Sequence, residues 1–222
     1  MGYQLDFGAL AGYLGLLLQG AVTTLVLTAI ASTIGIALSI GGAATARWGM
    51  RWARSLIAAY VELIRNTPFL VQLFFIFFGL PSLGMRLTAM QAATLAMTIN
   101  LTAYTIEILR AGIEAVPPGQ REAGLALGVS PLSVFIYVVL PQAVANVYPA
   151  LVSQIVITML ESAVVSQIAV ADLTHVADFI QSRTYRAFET YFAITMIYLG
   201  MAVSLRWLLA RAGRRLFAGR LR

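Results

Sequence analysis

The chain has 222 residues, of which 60% are hydrophobic and 11% charged, with a formal net charge of +6. Soluble proteins carry about 45–50% apolar and about 25% charged residues, so this chain has too few charges to cover a water-exposed surface. The composition excludes a cytosolic enzyme, a DNA-binding protein and a disordered segment, and it points to lipid as the surrounding medium.

A membrane-crossing helix needs about 20 apolar residues. Residues 7–46 carry no charge, and the best span within them is 16–40. Its Thr23, Thr24, Thr28, Ser32 and Thr33 can bond back to the helix backbone. Arg47, Arg51 and Arg54 follow. The second span is 56–80, with Glu62 and Arg65 near its start and Pro68 inside. Pro81 and Gly84 mark a turn, and the third span is 88–108. Pro117-Pro118-Gly119 breaks the chain, and a polar stretch runs over 119–130. The next apolar run, 131–171, is too long for one helix and is punctuated by Pro141 and Pro149. It divides into a short surface helix over 132–140 and a fourth span over 142–164. A mixed stretch over 166–189 precedes the fifth span, 191–209, and a basic tail. The expected fold is all-α, with five transmembrane helices in one membrane domain covering residues 1–222.

All fifteen basic residues are arginine. With five spans, one side of the membrane holds Arg47, Arg51, Arg54, Arg110, Arg121 and the six tail arginines, the last of them Arg220 and Arg222. The other side holds Arg86, Arg183 and Arg186. This bias of eleven against three puts the N-terminus outside and the C-terminus in the cytoplasm. The positive charge is therefore an orientation signal and not a nucleic-acid face. Cysteine is absent, so no disulfide framework or thiolate metal site is expected. A chain without lysine cannot build a Walker A loop. No basic residue precedes the first apolar run, so no secretory signal peptide is expected. His175 is the single histidine, which leaves no metal site and no catalytic group.

The cytoplasmic stretch Gly119-Gln-Arg-Glu122-Ala123-Gly124-Leu-Ala-Leu-Gly128-Val-Ser130 has a glycine six residues after its glutamate. Leu140 and Pro141 follow at eighteen and nineteen. A helix over 119–127 would set Ala123, Ala126 and Leu127 at helical spacing, and Gly128 suits a C-cap. This pattern resembles the EAA loop of ABC importer permeases, with Gly124 in place of the usual second alanine. Residues 104–120, from Tyr104 through Glu107, Arg110 and Pro117 to Gln120, are similar to the AYxxExxRGxIxSVPxGQ segment of the polar amino-acid permeases. Glu62 to Leu73 is similar to their ExxRGTPxLVQL segment, and Arg183 to Tyr191 to their TFRPFExY segment.

The resemblance is to the histidine/glutamine/arginine-type permease subunit of a type I ABC importer. It implies a bacterial inner-membrane protein whose EAA helix docks on a separate ATPase subunit. ATP and Mg would bind that partner, and this chain would hold no cofactor. A second permease chain and an extracytoplasmic amino-acid-binding protein are the other implied partners. The rival readings are an ABC permease for another small solute, a stand-alone channel or secondary transporter, and a non-transporting scaffold.

Ionisable and polar groups within spans are the remaining candidates. Gln154, Thr158, Glu161 and Ser162 form a polar stripe on span four, which should face protein or an aqueous path. Glu161 would bind the cationic part of an amino acid, hold a gate, or make a helix–helix contact. Asn100 is a candidate path-lining residue on span three. Glu62–Arg65 and Glu107–Arg110, each three apart, are candidate structural or gating pairs. Asp172, Asp178, Arg183 and Arg186 would be solvated or would meet a soluble binding protein.

Overall fold

The computed structural model describes residues 4–218, all of it helices and short connections with no strand among the described residues. A 3-10 turn, Phe7–Tyr13, leads into α1 (Leu14–Trp48). At 35 residues α1 is about 52 Å long, well beyond the about 30 Å hydrocarbon core. Its Thr23, Thr28 and Thr33 hydroxyls donate to the carbonyls four residues back, so each is satisfied without leaving the helix.

The second apolar segment is not a straight span. α2 (Arg51–Arg65) and α3 (Phe69–Phe74, continued by turns to Leu83) meet at 108°. Pro68 causes the break: it has no N–H to donate, and it disfavours helical geometry at Thr67. Gly84 turns the chain with φ of +85°. Thr88 and Gln91 then form a reciprocal capping box that starts α4 (Ala89–Glu114).

α4 is the central helix, buried along most of its length, and α1 packs closely on it. Small residues allow that approach: a Cβ on Gly35 would meet Leu101 Cδ2 at 3.1 Å, and one on Gly42 would meet Ile106. The Thr102 hydroxyl bonds across to the Gly35 carbonyl at 3.4 Å.

α5 (Pro118–Ala126) and α6 (Pro131–Val134) follow. The expected separate surface helix over 132–140 is not formed. A π turn, Phe135–Val139, joins α6 to α7 (Leu140–Glu161), and a 3-10 turn carries the run to Ile168. Pro141, at the start of α7, has no N–H, and the wide turn before it absorbs the missing bond. α8 (Leu173–Thr184) and α9 (Ala187–Leu216) complete the fold. Among the described residues four helical runs are long and apolar enough to cross a membrane, and the count reaches five when the bent α2–α3 pair is taken as one broken span. Arg220 and Arg222 lie outside the described residues.

Residues 166–189 are not an open loop. α8 packs on α1 and the 3-10 turn before it through Leu10, Leu17, Leu173, Val176, Ala177 and Ile180. Asp172 is fully buried, caps α8 by accepting from His175 N at 2.9 Å, and accepts from Tyr198 Oη at 3.2 Å. It is therefore closed to solvent and to a partner. Burial pushes its carboxyl above the usual aspartate range, and the hydrogen bonds offset this in part. His175 stands in the first turn of α8.

Candidate functional site

The 117–141 segment begins where α4 ends. Pro117 caps α5 and Pro118 occupies its first position, where a missing N–H does no harm. α5 ends in a full Schellman motif: Gly128 N bonds Leu125 O at 3.0 Å and Val129 N bonds Gly124 O at 3.2 Å. Gly128 has φ of +77°, which a side chain opposes. The Ser130 hydroxyl accepts from Ser133 N and starts α6.

α5 has no buried residue. Glu122, Ala123 and Ala126 are exposed, and Leu127 is 83% exposed. Only Gly124 and Leu125 are tucked in. Leu125 packs on the cluster of Ala43, Leu109, Ile113 and Val134, drawn from α1, α4 and α6. A Cβ on Gly124 would lie 2.8 Å from Val134 Cγ2, so glycine at this position sets how closely α5 seats on α6. Leu140 and Pro141 sit at the π-turn junction that leads to α7. The helix thus presents small and apolar groups outward, while its inner side rests on α6 and the π turn Phe135–Val139.

The charged candidates form one chain of contacts. Glu107 takes a two-point bond from Arg110, at 3.1 Å to Nε and 2.8 Å to Nη2, and Arg110 also reaches Glu114 at 2.8 Å. Arg65 does not pair with Glu62. It points across to α4, with Nη1 3.8 Å from Glu107 Oε2 and its guanidinium 5.4 Å from the Tyr104 ring centroid. Glu62 is exposed and its carbonyl takes the Asn66 amide. The pairing is thus between helices, and it ties the end of α2 to α4.

The polar stripe is split. Gln154, Thr158 and Ser162, four residues apart, are buried, whereas Glu161 lies half-exposed at its edge. Ser162 Oγ donates to Met159 O, and Thr158 Oγ1 has no partner among the described residues. Asn100 is buried, and its Nδ2 donates to Gln72 Oε1 at 3.0 Å. Gln72 in turn donates to Ile64 O at 2.8 Å and to Thr67 O and Thr67 Oγ1 at 3.0 and 2.9 Å. Asn100 therefore reaches the α2–α3 break through Gln72. Sequence reasoning did not single out Gln72 as a site residue; its amide four residues after Pro68 in an apolar run was the available signal. Glu189 was also missed. It is fully buried, accepts from Asp6 N at 2.9 Å, and holds the N-terminal segment with Arg186.

Residues 35–218 match the family described as binding-protein-dependent transport system inner membrane component. The chain belongs to this family. It is therefore a transport component of the membrane and not a catalytic one. It is 33% identical over 215 residues to the glutamine transport system permease protein GlnP of Escherichia coli, covering 96% of this chain and 98% of that one. To the arginine transport system permease protein ArtQ of Bacillus subtilis it is 32% identical over 206 residues, covering 92% and 94%. Its fold superposes on the crystal structure of an amino acid ABC transporter with histidines, with a TM-score of 0.86, 42% identity, and coverage of 96% of this chain and 100% of that chain. The inward-facing MetNI methionine ABC transporter shares the fold, with a TM-score of 0.74 at 21% identity over 96% of this chain.

Proposed function

We propose that this permease carries a polar amino acid inward and couples that movement to ATP hydrolysis on separate subunits through α5. The observation that carries the reading is α5 itself: a helix with no buried residue, closed by Gly128 and seated through Leu125 and Gly124 on α6 and the π turn that leads into α7. Such a helix can enter a partner's cleft with Ala123, Ala126 and Leu127 while its displacement pushes on the membrane helices. The excess of arginine at this end supports a cytoplasmic position for α5 and an external N-terminus. The glutamine and arginine permeases among the relatives support the cargo class.

A single bundle of this size encloses little volume for a gated path, so a second permease chain completes it. An external binding protein delivers the solute. The path runs beside Glu161, whose carboxylate at the edge of the buried Gln154–Thr158–Ser162 row attracts an amino group. Glu161→Gln then lowers uptake and leaves assembly intact.

The coupling test uses the assembled transporter in proteoliposomes. Glu122→Ala combined with Gly128→Val is expected to leave ATP hydrolysis running while uptake falls. Uptake that survives both changes would contradict the coupling role. The expected ATPase also separates this reading from a stand-alone channel, whose flux needs none.

A further inference from the structure

An open groove of about 690 Å³ runs between α1, α2 and α4, away from the polar stripe of α7. Its walls are Ile34 and Leu38 of α1, Ile57 of α2, and Leu95, Ile99 and Ile106 of α4. Four of the polar side chains on these walls are already used. Thr94, Thr98 and Thr102 each donate to the carbonyl four residues back, and Tyr60 Oη donates to Ile99 O at 2.6 Å. The groove therefore offers little hydrogen bonding to a polar solute and suits a hydrocarbon chain.

Ile57 also lines a second cavity, of about 550 Å³, with a different lining: Arg51, Arg54 and Ser55 of α2, and Glu107 and Arg110 of α4. Arg110 is neutralised by Glu107 and Glu114. Arg51 and Arg54 have no carboxylate partner among the described residues, and they sit three apart on α2. Trp48 and the exposed Trp52 flank this end, as tryptophans do at a membrane–water boundary. Along α1 the groove runs from Ile34 to Thr45, a rise of about 16 Å, and along α4 from Met90 to Ile106, about 24 Å, long enough for an extended acyl chain.

We propose that this paired groove and arginine cavity is a binding site for an anionic phospholipid of the arginine-side leaflet. Its phosphate sits at Arg51 and Arg54, and one acyl chain lies between α1, α2 and α4. Two cations without a carboxylate partner beside a long, largely apolar groove match a ligand that is acidic at one end and apolar along the rest.

The test counts lipid bound to the assembled transporter by native mass spectrometry. Dioleoyl phosphatidylglycerol and dioleoyl phosphatidylcholine are titrated separately. The wild type is expected to prefer the anionic lipid. Each arginine contributes about fivefold, so Arg51→Gln/Arg54→Gln weakens phosphatidylglycerol binding about 25-fold and leaves phosphatidylcholine unchanged. Leu38→Trp fills the groove without altering charge and lowers retention of both lipids. Equal retention by the wild type and the arginine variant overturns the proposal. So does displacement of the lipid by millimolar inorganic phosphate with unaltered binding to Leu38→Trp, which would mean an ion site only. The chain has no cysteine, so Leu38→Cys gives an independent readout. A disulfide between two permease chains would show that a second copy covers the groove, and would also overturn it.

Discussion

Replacing Gln72 by leucine keeps the side-chain volume but removes the polar knot at the α2–α3 break. The Gln72 amide has two hydrogens to share among Ile64 O, Thr67 O and Thr67 Oγ1, and its Oε1 accepts from Asn100. Three hydrogen bonds are therefore lost at a time. Net values of about 0.6–1 kcal/mol each, spanning bonds between membrane helices and those in soluble proteins, give about 2–3 kcal/mol. In a chain of this size that is a fall of about 4–12 °C in thermal midpoint. Asn100→Leu removes one bond, and it also removes an Oδ1 that has no partner among the described residues, so its effect is below about 1 kcal/mol. The double variant should be milder than the sum of the singles by the one shared bond, about 0.6–1 kcal/mol. Thermal unfolding of the assembled transporter in detergent, read for the wild type, both singles and the double, measures all three quantities. If Gln72→Leu is no more harmful than Asn100→Leu, or if the two effects add strictly, Gln72 is not the clamp of the break.

Gly124→Ala brings a Cβ to 2.8 Å from the stiff Val134 side chain and should lower stability by about 1–3 kcal/mol, read as a drop in thermal midpoint. Val134→Ala in the same chain should recover most of that loss. Asp172→Ala loses the cap of α8 and should destabilise by about 1 kcal/mol, whereas Asp172→Asn keeps the cap. Burial raises the Asp172 pKa, so the stability tied to its neutral form is present at acid pH and is lost as pH rises through the raised value. The advantage of Asp172→Asn over the wild type should therefore be largest at neutral pH and shrink on acidification, as thermal midpoints across pH will show. Glu189→Ala should release the segment held at Asp6 N and speed amide exchange there.

Much of the fold was legible because lipid imposes simple rules. Unbroken apolar runs marked α1, α4 and α9. The path of the second segment was not legible: Pro68 signals a break, but at the 108° bend Gln72 binds the carbonyls of Ile64 and Thr67 and is itself held by Asn100, a contact between distant residues. The 132–140 piece was misread because proline usually ends a helix, while here a π turn carries the helix past Pro141. Around α5, both the turn chemistry of Pro118 and Gly128 and the outward face were readable from local spacing. The partner of Arg65 was not. Spacing of three favours a pair within α2, but the 108° bend carries Arg65 to Glu107 of α4 instead. Residues 166–189 read as a mixed polar loop because their apolar face is short; α1 supplies the surface that buries it.

The central claim is that α5 is the point of contact with an ATPase. Because the chain lacks cysteine, Ala126→Cys places a single thiol on the exposed face of α5. Photo-crosslinking from that thiol in the assembled transporter is predicted to capture a P-loop ATPase subunit, with a yield that changes between the nucleotide-free and ATP-bound states. Transport-competent complexes in which the introduced thiol captures only lipid or another permease chain would contradict the account.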